Sequence, residues 1–344
     1  MRSASEALRI GNEHAATKLQ PTGIVSENLQ ALSSTRFWHD SRSLKVLGIG
    51  TALPGPPLST AELLERIESR FHVAVSRRGR LLGSRLKIAT RHICRDFEAR
   101  HEVPRPGHSN PDLAAAALKA ALKEAHLSVS DLAYLIGHTT SPARSLPPNI
   151  AIVADLIGFT GPYMELRQAC SGFANALVIA QGLAAAPQVK AIGIVGSETG
   201  SVYLDPQHAG EDIDQLVNLM MMGDGAGAIV IGPNDSGSGA RISNNFFGQV
   251  GLGRASGFSL AAGGSGEPFL ERGALEFKHD LTAVRTGGPE LFFHGAAIGS
   301  ALGNSVKSVD YSHTASSERS HGGTFGPLPR RRAETRLRQR RAYW

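Results

Sequence analysis

The residues best suited to chemistry lie in the string Gln168-Ala169-Cys170-Ser171-Gly172-Phe173. A β-like run over 163–169 enters it, and a small-residue helix over roughly 171–186 leaves it. That arrangement sets a thiol at the sharp turn where a strand becomes a helix. The first N–H groups of a helix are unpaired and carry the positive end of its dipole. A cysteine held there has its thiolate favoured over its thiol, and the thiolate is the nucleophile. Gly172 lets backbone or substrate approach closely. A buried structural cysteine is the other reading, because free cysteine is often buried. The hexapeptide by itself leaves both open.

Two further strings invite chemistry. Gly223-Asp224-Gly225-Ala226-Gly227 imitates a nucleotide-binding loop. Such a loop follows a strand and opens a helix, whereas this one precedes the apolar run Ala228-Ile229-Val230-Ile231. Residues 76–100 are basic, with Arg77, Arg78, Arg80, Arg85, Lys87, Arg91, His92, Arg95 and Arg100. They read either as an exposed loop with solvated charge or as a patch for an anionic ligand such as a phosphate-bearing cofactor. Aromatic residues are sparse there, so base stacking is not suggested.

The elements that must position these strings alternate between strand and helix. An apolar run at 44–50 begins the ordered part and ends in a loop at Pro54-Gly55-Pro56-Pro57. Ser59 or Thr60 caps a helix to about 71, with Glu62 and Glu65 in its first turns. Asn110-Pro111-Asp112 reads as cap, proline at the first position and acid at the second, opening a helix to about 125. A strand over 132–137 follows, then a loop at Thr139-Thr140-Ser141-Pro142, then a helix opened by Pro147-Pro148 and running to about 157. In the helix after Cys170, Phe173, Ala176, Leu177, Ala180 and Ala184 recur at helical spacing, so it reads as a central buried helix stopped by Pro187. The run at 189–196 suits a strand covered on both faces. Residues 232–239 form a linker-like break, after which 242–247 and 275–277 read as strands and Pro289 opens a helix to about 302. Strands alternating with helices predict an α/β architecture with buried sheets.

The chain of 344 residues is long enough for two domains or one two-part fold, and it is 41% hydrophobic with 39 glycines. No apolar run reaches the roughly 18 residues of a membrane-spanning helix. Residues 1–43 read as a poorly ordered extension without a signal-peptide core. Cys94 and Cys170 are too few for a disulfide framework and have no metal spacing, so a cytoplasmic location is the expectation. The net charge of +6 comes wholly from residues 330–344, which hold seven arginines and Glu334. The rest sums to zero and gives no support to nucleic-acid binding. An arginine-rich end of this kind is usually solvated.

Taken in order, these strings resemble β-ketoacyl-ACP synthase III and its relatives in the thiolase-like superfamily. The resemblance runs from about 44 to about 311. It is carried by Ala169-Cys170-Ser171-Gly172-Phe173, which matches the family's nucleophile turn, and by Gly223-Asp224-Gly225-Ala226-Gly227-Ala228. Supporting matches are Thr139-Thr140-Ser141, Val195-Gly196-Ser197-Glu198, Ile88-Ala89-Thr90-Arg91-His92-Ile93 and Gly288-Pro289-Glu290-Leu291-Phe292. The resemblance implies a five-layered αβαβα fold of two similar halves, here 44–235 and an incomplete 240–311, and it implies a homodimer. It implies that Cys170 takes an acyl group from acyl-CoA as a thioester. Decarboxylation of malonyl-ACP, the acyl carrier protein thioester, then generates a carbanion that attacks it. No metal or redox cofactor is implied, and neither a nucleic acid nor a membrane is an expected partner. Arg85 falls where the family holds the CoA nucleotide, but the tryptophan that stacks on adenine four residues earlier is Leu81 here.

The family's histidine, in a Pro-His-Gln-x-Asn string, should follow Val309-Asp310-Tyr311, where this chain continues Ser312-His313-Thr314. The family's asparagine should come some 30 residues later, inside the tail 312–344. Gly303-Asn304-Ser305 comes too early for that role. His313 is the nearest replacement, although a lone histidine in a polar segment is more often a bystander; His279 and His294 read as surface or packing residues. The abrupt change of text near Tyr311 suggests a lost reading frame, a hypothesis that sequencing the coding DNA would sink if no shifted frame restores the missing string. A non-catalytic thiolase-fold partner subunit is the competing reading, and an arginine-tail nucleic-acid binder a third.

Overall fold

The computed structural model describes residues 37–40, 42–96, 106–234, 237–249, 253–260, 277–289 and 295. At its centre is a six-stranded mixed sheet. In chain order its strands are β2 (Leu44–Ala52), β5 (Leu132–His138), β6 (Tyr163–Leu166), β7 (Ala191–Glu198), β8 (Gly225–Pro233) and β9 (Arg241–Ile242). They lie side by side in the order β6-β5-β7-β8-β2-β9. β5, β6 and β7 run parallel, and β8 runs antiparallel to both β7 and β2. The continuous apolar runs read from sequence fit this placement: Ile192, Ile194, Val230 and Ile231 are buried, as strands covered on both faces require.

One face is covered by α3 (Asn110–Glu124) and α4 (Asn149–Ile157), whose Leu113, Leu118, Leu122, Ile150 and Val153 form one core with the sheet. The alanine-rich side of α3 lies directly on β2. A Cβ at Gly48 or Gly50 would sit 2.3 Å from the Ala121 carbonyl oxygen or 2.1 Å from that of Ala117, so only glycine permits this approach. The opposite face is covered by α5 (Gly172–Leu183) through Ala176, Leu177 and Ala180. A third cluster joins α1 (Thr60–Phe71), α2 (Ser76–Leu86) and α6 (Ile213–Met221) through Leu63, Leu64, Ile67, Leu216 and Met220.

Local chemistry explains the helix starts. Of the two candidate caps of α1 it is Ser59: its Oγ accepts the Glu62 N–H at 3.1 Å while Glu62 accepts the Ser59 N–H at 2.8 Å, a reciprocal capping box. The Glu68 carboxylate accepts the Val75 and Ser76 N–H groups at 3.0 and 2.7 Å, so a residue of α1 caps α2. In α3 the cap is Ser109, one residue earlier than the sequence suggests, with Asp112 accepting the Ser109 N–H at 3.1 Å.

Several expectations need correction. The strand entering Cys170 ends at Leu166, short of the expected 169, and Ala169 takes φ 44°, which no extended strand allows. The helix after Cys170 is buried along one side only; Phe173, Ala174 and Gly182 are exposed among the described residues. Of the basic stretch 76–100, the described residues 76–96 are not a loop throughout, and residues 97–100 lie outside the described residues. Residues 76–96 contain α2 and the short strand β4 (Thr90–Arg91), which pairs with β3 (Leu58–Ser59), and both Arg91 and Arg95 are buried. The extension 1–43 includes β1 (Phe37–Asp40), paired antiparallel with β10 (Asn245–Gly248). The single strand expected over 242–247 is split into β9 and β10 by Asn244 at φ 55°. Phe277–His279 forms β12, paired with β11 (Phe258–Leu260). Helix begins at 281, with the Asp280 carboxylate accepting the Ala283 N–H, rather than at Pro289. His294, the Gly303-Asn304-Ser305 string, His313 and the tail 312–344 lie outside the described residues.

Candidate active site

The parallel strands β5, β6 and β7 bring their C-terminal ends to one edge of the sheet, the usual ligand side of open α/β sheets. His138 at the end of β5 lies opposite Leu166 of β6 and Gly196 of β7. The segments that follow are Thr139-Thr140-Ser141, the Cys170 turn and Ser197-Glu198-Thr199. β8 starts at the same edge, with Gly225 opposite Glu198, so the Gly223-Asp224-Gly225 turn joins them.

Cys170 is exposed, inside a single 3₁₀ turn spanning Ala169–Ser171 that leads directly into α5. The turn closes on itself: Ser171 donates from both its N–H and its hydroxyl to the Gln168 carbonyl at 3.1 and 2.8 Å. Ala169, the residue before the thiol, sits in the left-handed region at φ 44°. Strain of this kind in a non-glycine residue persists only where the surroundings over-determine it, and it clusters at functional sites. Cys170 thus sits exposed immediately before the first turn of α5.

At the same edge of the sheet lies a largely buried polar network. Asn110 Nδ2 donates to the Ser141 carbonyl at 2.8 Å and Thr139 Oγ1 at 3.1 Å, while its Oδ1 accepts from Asn149 Nδ2 at 2.7 Å and Ser197 Oγ at 2.5 Å. The Glu198 carboxylate accepts the Thr140 N–H at 2.8 Å, the Thr140 hydroxyl at 2.7 Å and the Ser141 hydroxyl at 2.5 Å. These bonds tie the loop after β5 to the end of β7, and their full satisfaction makes them rigid.

The second cysteine differs. Cys94 is buried, and burial together with the nearby Asp224 carboxylate pushes its thiol far above the usual range. Asp224 accepts the Cys94 N–H at 2.7 Å, the Ser201 N–H at 3.0 Å and the Ser201 hydroxyl at 2.5 Å. Its own carboxyl is raised by burial, against the pull of those hydrogen bonds. The aspartate of the glycine-rich turn is thus a structural anchor and not a nucleotide ligand.

Arg85 is exposed in the last turn of α2, one turn after Leu81 on the same side of the helix, and no described hydrogen bond holds it. Arg91 instead donates from Nη2 to Thr60 Oγ1 and the Met220 carbonyl, and burial lowers it to about 10. Arg95 donates from Nη1 to the Ser201 and Leu204 carbonyls. His279 packs on the Phe258 ring at 4.5 Å between centroids and hydrogen-bonds Asn218, a packing role as expected. His138 was not singled out in the sequence. Burial holds its imidazole below the usual histidine range, and its ring lies 6.4 Å from that of Phe173.

The site is thus an exposed thiol at a strained turn between a strand and a helix, on the C-terminal edge of a sheet flanked by helices. The fold itself is shown by a solved structure described as AbyA1, a tetronic acid condensing enzyme, at 24% identity and TM-score 0.64 over 78% of this chain and 77% of that one. The sequence carries the likeness to a family. Residues 164–251 match the family model for 3-oxoacyl-[acyl-carrier-protein (ACP)] synthase III. The chain is 33% identical over 190 residues to the β-ketoacyl-[acyl-carrier-protein] synthase III of Thiobacillus denitrificans, covering 55% of this chain and 52% of that one. It is 32% identical over 205 residues to the synthase III of Ehrlichia canis, covering 59% and 56%. The chain spans about half the length of these curated relatives, and over that span its resemblance to synthase III is established. No helix among the described residues is long and apolar enough to cross a membrane.

Proposed function

We propose that this chain carries the acyl-accepting half-site of a synthase III-type condensing enzyme. The observation that supports it most is the exposed Cys170 after the strained Ala169, at the edge where the matched motifs converge. In this reading the Cys170 thiolate attacks the carbonyl carbon of an acyl thioester, the CoA or carrier-protein thiolate leaves, and an acyl-Cys170 thioester results. The transient oxyanion is stabilised by backbone N–H groups beside the turn. Malonyl-ACP then loses carbon dioxide; its carbanion attacks the acyl carbon, forming the new carbon–carbon bond and expelling the Cys170 thiolate. No metal or redox group takes part. The exposed Arg85 is the proposed contact for the CoA nucleotide. The acyl carrier protein and a second copy of the chain are the proposed partners. β6 lies at one edge of the six-stranded sheet, with exposed Leu156 and Tyr163 nearby, a surface suited to self-association.

The second reading, a thiolase-fold partner that does not condense, is favoured by the text after Tyr311, which lacks the Pro-His-Gln-x-Asn string. Incubation with radiolabelled acyl-CoA, followed by malonyl-ACP, separates the two. Label on Cys170 with formation of a 3-oxoacyl product supports the synthase. Label without product supports an acyl-accepting partner, and no label on Cys170 overturns both the acyl-enzyme and its site.

A further inference from the structure

The geometry points to His138 as a positioning residue for Cys170, its ring acting as the wedge that fixes the nucleophile turn against β7. This rests on Cys170 being the reactive thiol. The ring stands between two glycines of the motif segments. A Cβ on Gly172 would meet His138 Cβ, Cγ and Nδ1 at 2.9 Å, and a Cβ on Gly196 would meet Nε2 at 2.2 Å and Cε1 at 2.3 Å. Gly172 has φ −58°, a value any residue adopts, so glycine is required there for room and not for conformation. Gly196 is likewise absent from the positive-φ glycines. One imidazole therefore explains both glycines. It also joins three of the matched strings: Thr139-Thr140-Ser141 begins at the next residue, Gly172 follows the nucleophile by two, and Gly196 lies in the strand ending at Glu198.

The ring is held by packing. No hydrogen bond involves it among the described residues, and Phe173 contacts it at 6.4 Å with the rings tilted 52°. Burial keeps the imidazole neutral at neutral pH. A neutral ring suits a place beside a helix N-terminus, where a cation opposes the dipole. Interiors this tightly filled transmit small changes of shape, and a shift of the first turn of α5 carries Cys170 with it.

The test is the alkylation rate of Cys170 by iodoacetamide in the full chain, read by peptide mass spectrometry, with buried Cys94 as an internal check of folding. A displaced turn takes the thiol away from the helix N-terminus that favours its thiolate, so His138→Ala is expected to slow Cys170 about fivefold. Gly196→Ala, which drives a methyl into the ring, is expected to do the same. In the double variant the new methyl enters the space the ring vacated, so the combined slowing is smaller than the product of the two. His138→Gln, which keeps a planar polar group of similar length, is expected to retain most of the rate. It also serves as the working variant should His138→Ala expose Cys94. A rate for His138→Ala within about twofold of the parent, effects that multiply in the double variant, or a Gln variant as slow as Gly196→Ala each overturn the proposal. Alkylation needs no acyl donor, so a failure of acyl transfer leaves this comparison readable.

Discussion

Two cysteine-bearing corners meet the same edge of the sheet, and their physics differs at every point. The corner around Cys94 is buried, and Asp224 satisfies the backbone of both Cys94 and Ser201. The corner around Cys170 is exposed, wound into a single tight turn and preceded by a residue at φ 44°. One is closed by hydrogen bonds and desolvation, which makes its thiol inert. The other is exposed, with strain stored in the backbone just before its thiol. The difference shows that a cysteine's role is set by what its neighbours do with the backbone, more than by its place in a glycine-rich string.

The comparison can be broken in four ways. The largest expected effect is chemical selectivity. Iodoacetamide should label Cys170 at least about a hundredfold faster than Cys94, since one thiol is exposed and the other is buried with its pKa raised. Comparable rates, measured by peptide mapping, would show that the two corners are not distinct. Next, Asp224→Ala leaves the Cys94 and Ser201 N–H groups buried without an acceptor. Urea unfolding should report a loss of about 3 kcal/mol or more, at roughly 1–3 kcal/mol for each orphaned group. Third, Ala169→Val puts a β-branched side chain at φ 44°, and should cost about 1–2 kcal/mol by the same measurement while slowing Cys170 labelling. The smallest effect is on pH dependence. His138 is depressed by burial, so below about 6.5 the unfolded chain takes up a proton that the folded one refuses. Stability is therefore retained above that value and falls as pH drops towards the lower folded pKa. His138→Gln should make the acid slope shallower; His279, also depressed by burial, keeps part of it.

Much of the frame was legible because local chemistry is written locally. Ser59 with Glu62 announced α1, and the apolar run before Gly196 announced a strand covered on both faces. Cys170 was legible because strand, thiol and small-residue helix adjoin in sequence. The left-handed turn at Ala169 was not, because alanine carries no signal that it will adopt φ 44°. Charge alone leaves Arg91 and Arg95 open between a solvated loop and a patch for an anionic ligand. They are buried because carbonyls of Met220, Ser201 and Leu204, distant in sequence, take their N–H groups. His138 was invisible for the same reason: its role comes from glycines on two other elements, and nothing beside it in the chain announces them. Element order already argues against a ligand loop at Asp224, and its partners Cys94 and Ser201 identify it as an anchor.

The central claim is that Cys170 is the acyl acceptor. Its most direct test is intact and peptide mass spectrometry of the full chain after incubation with an acyl-CoA. The account predicts a mass increase equal to one acyl group, located on Cys170, removed by hydroxylamine and absent in Cys170→Ala. An unmodified Cys170 in protein whose Cys94 remains protected, or an acyl group placed on another residue, would contradict it.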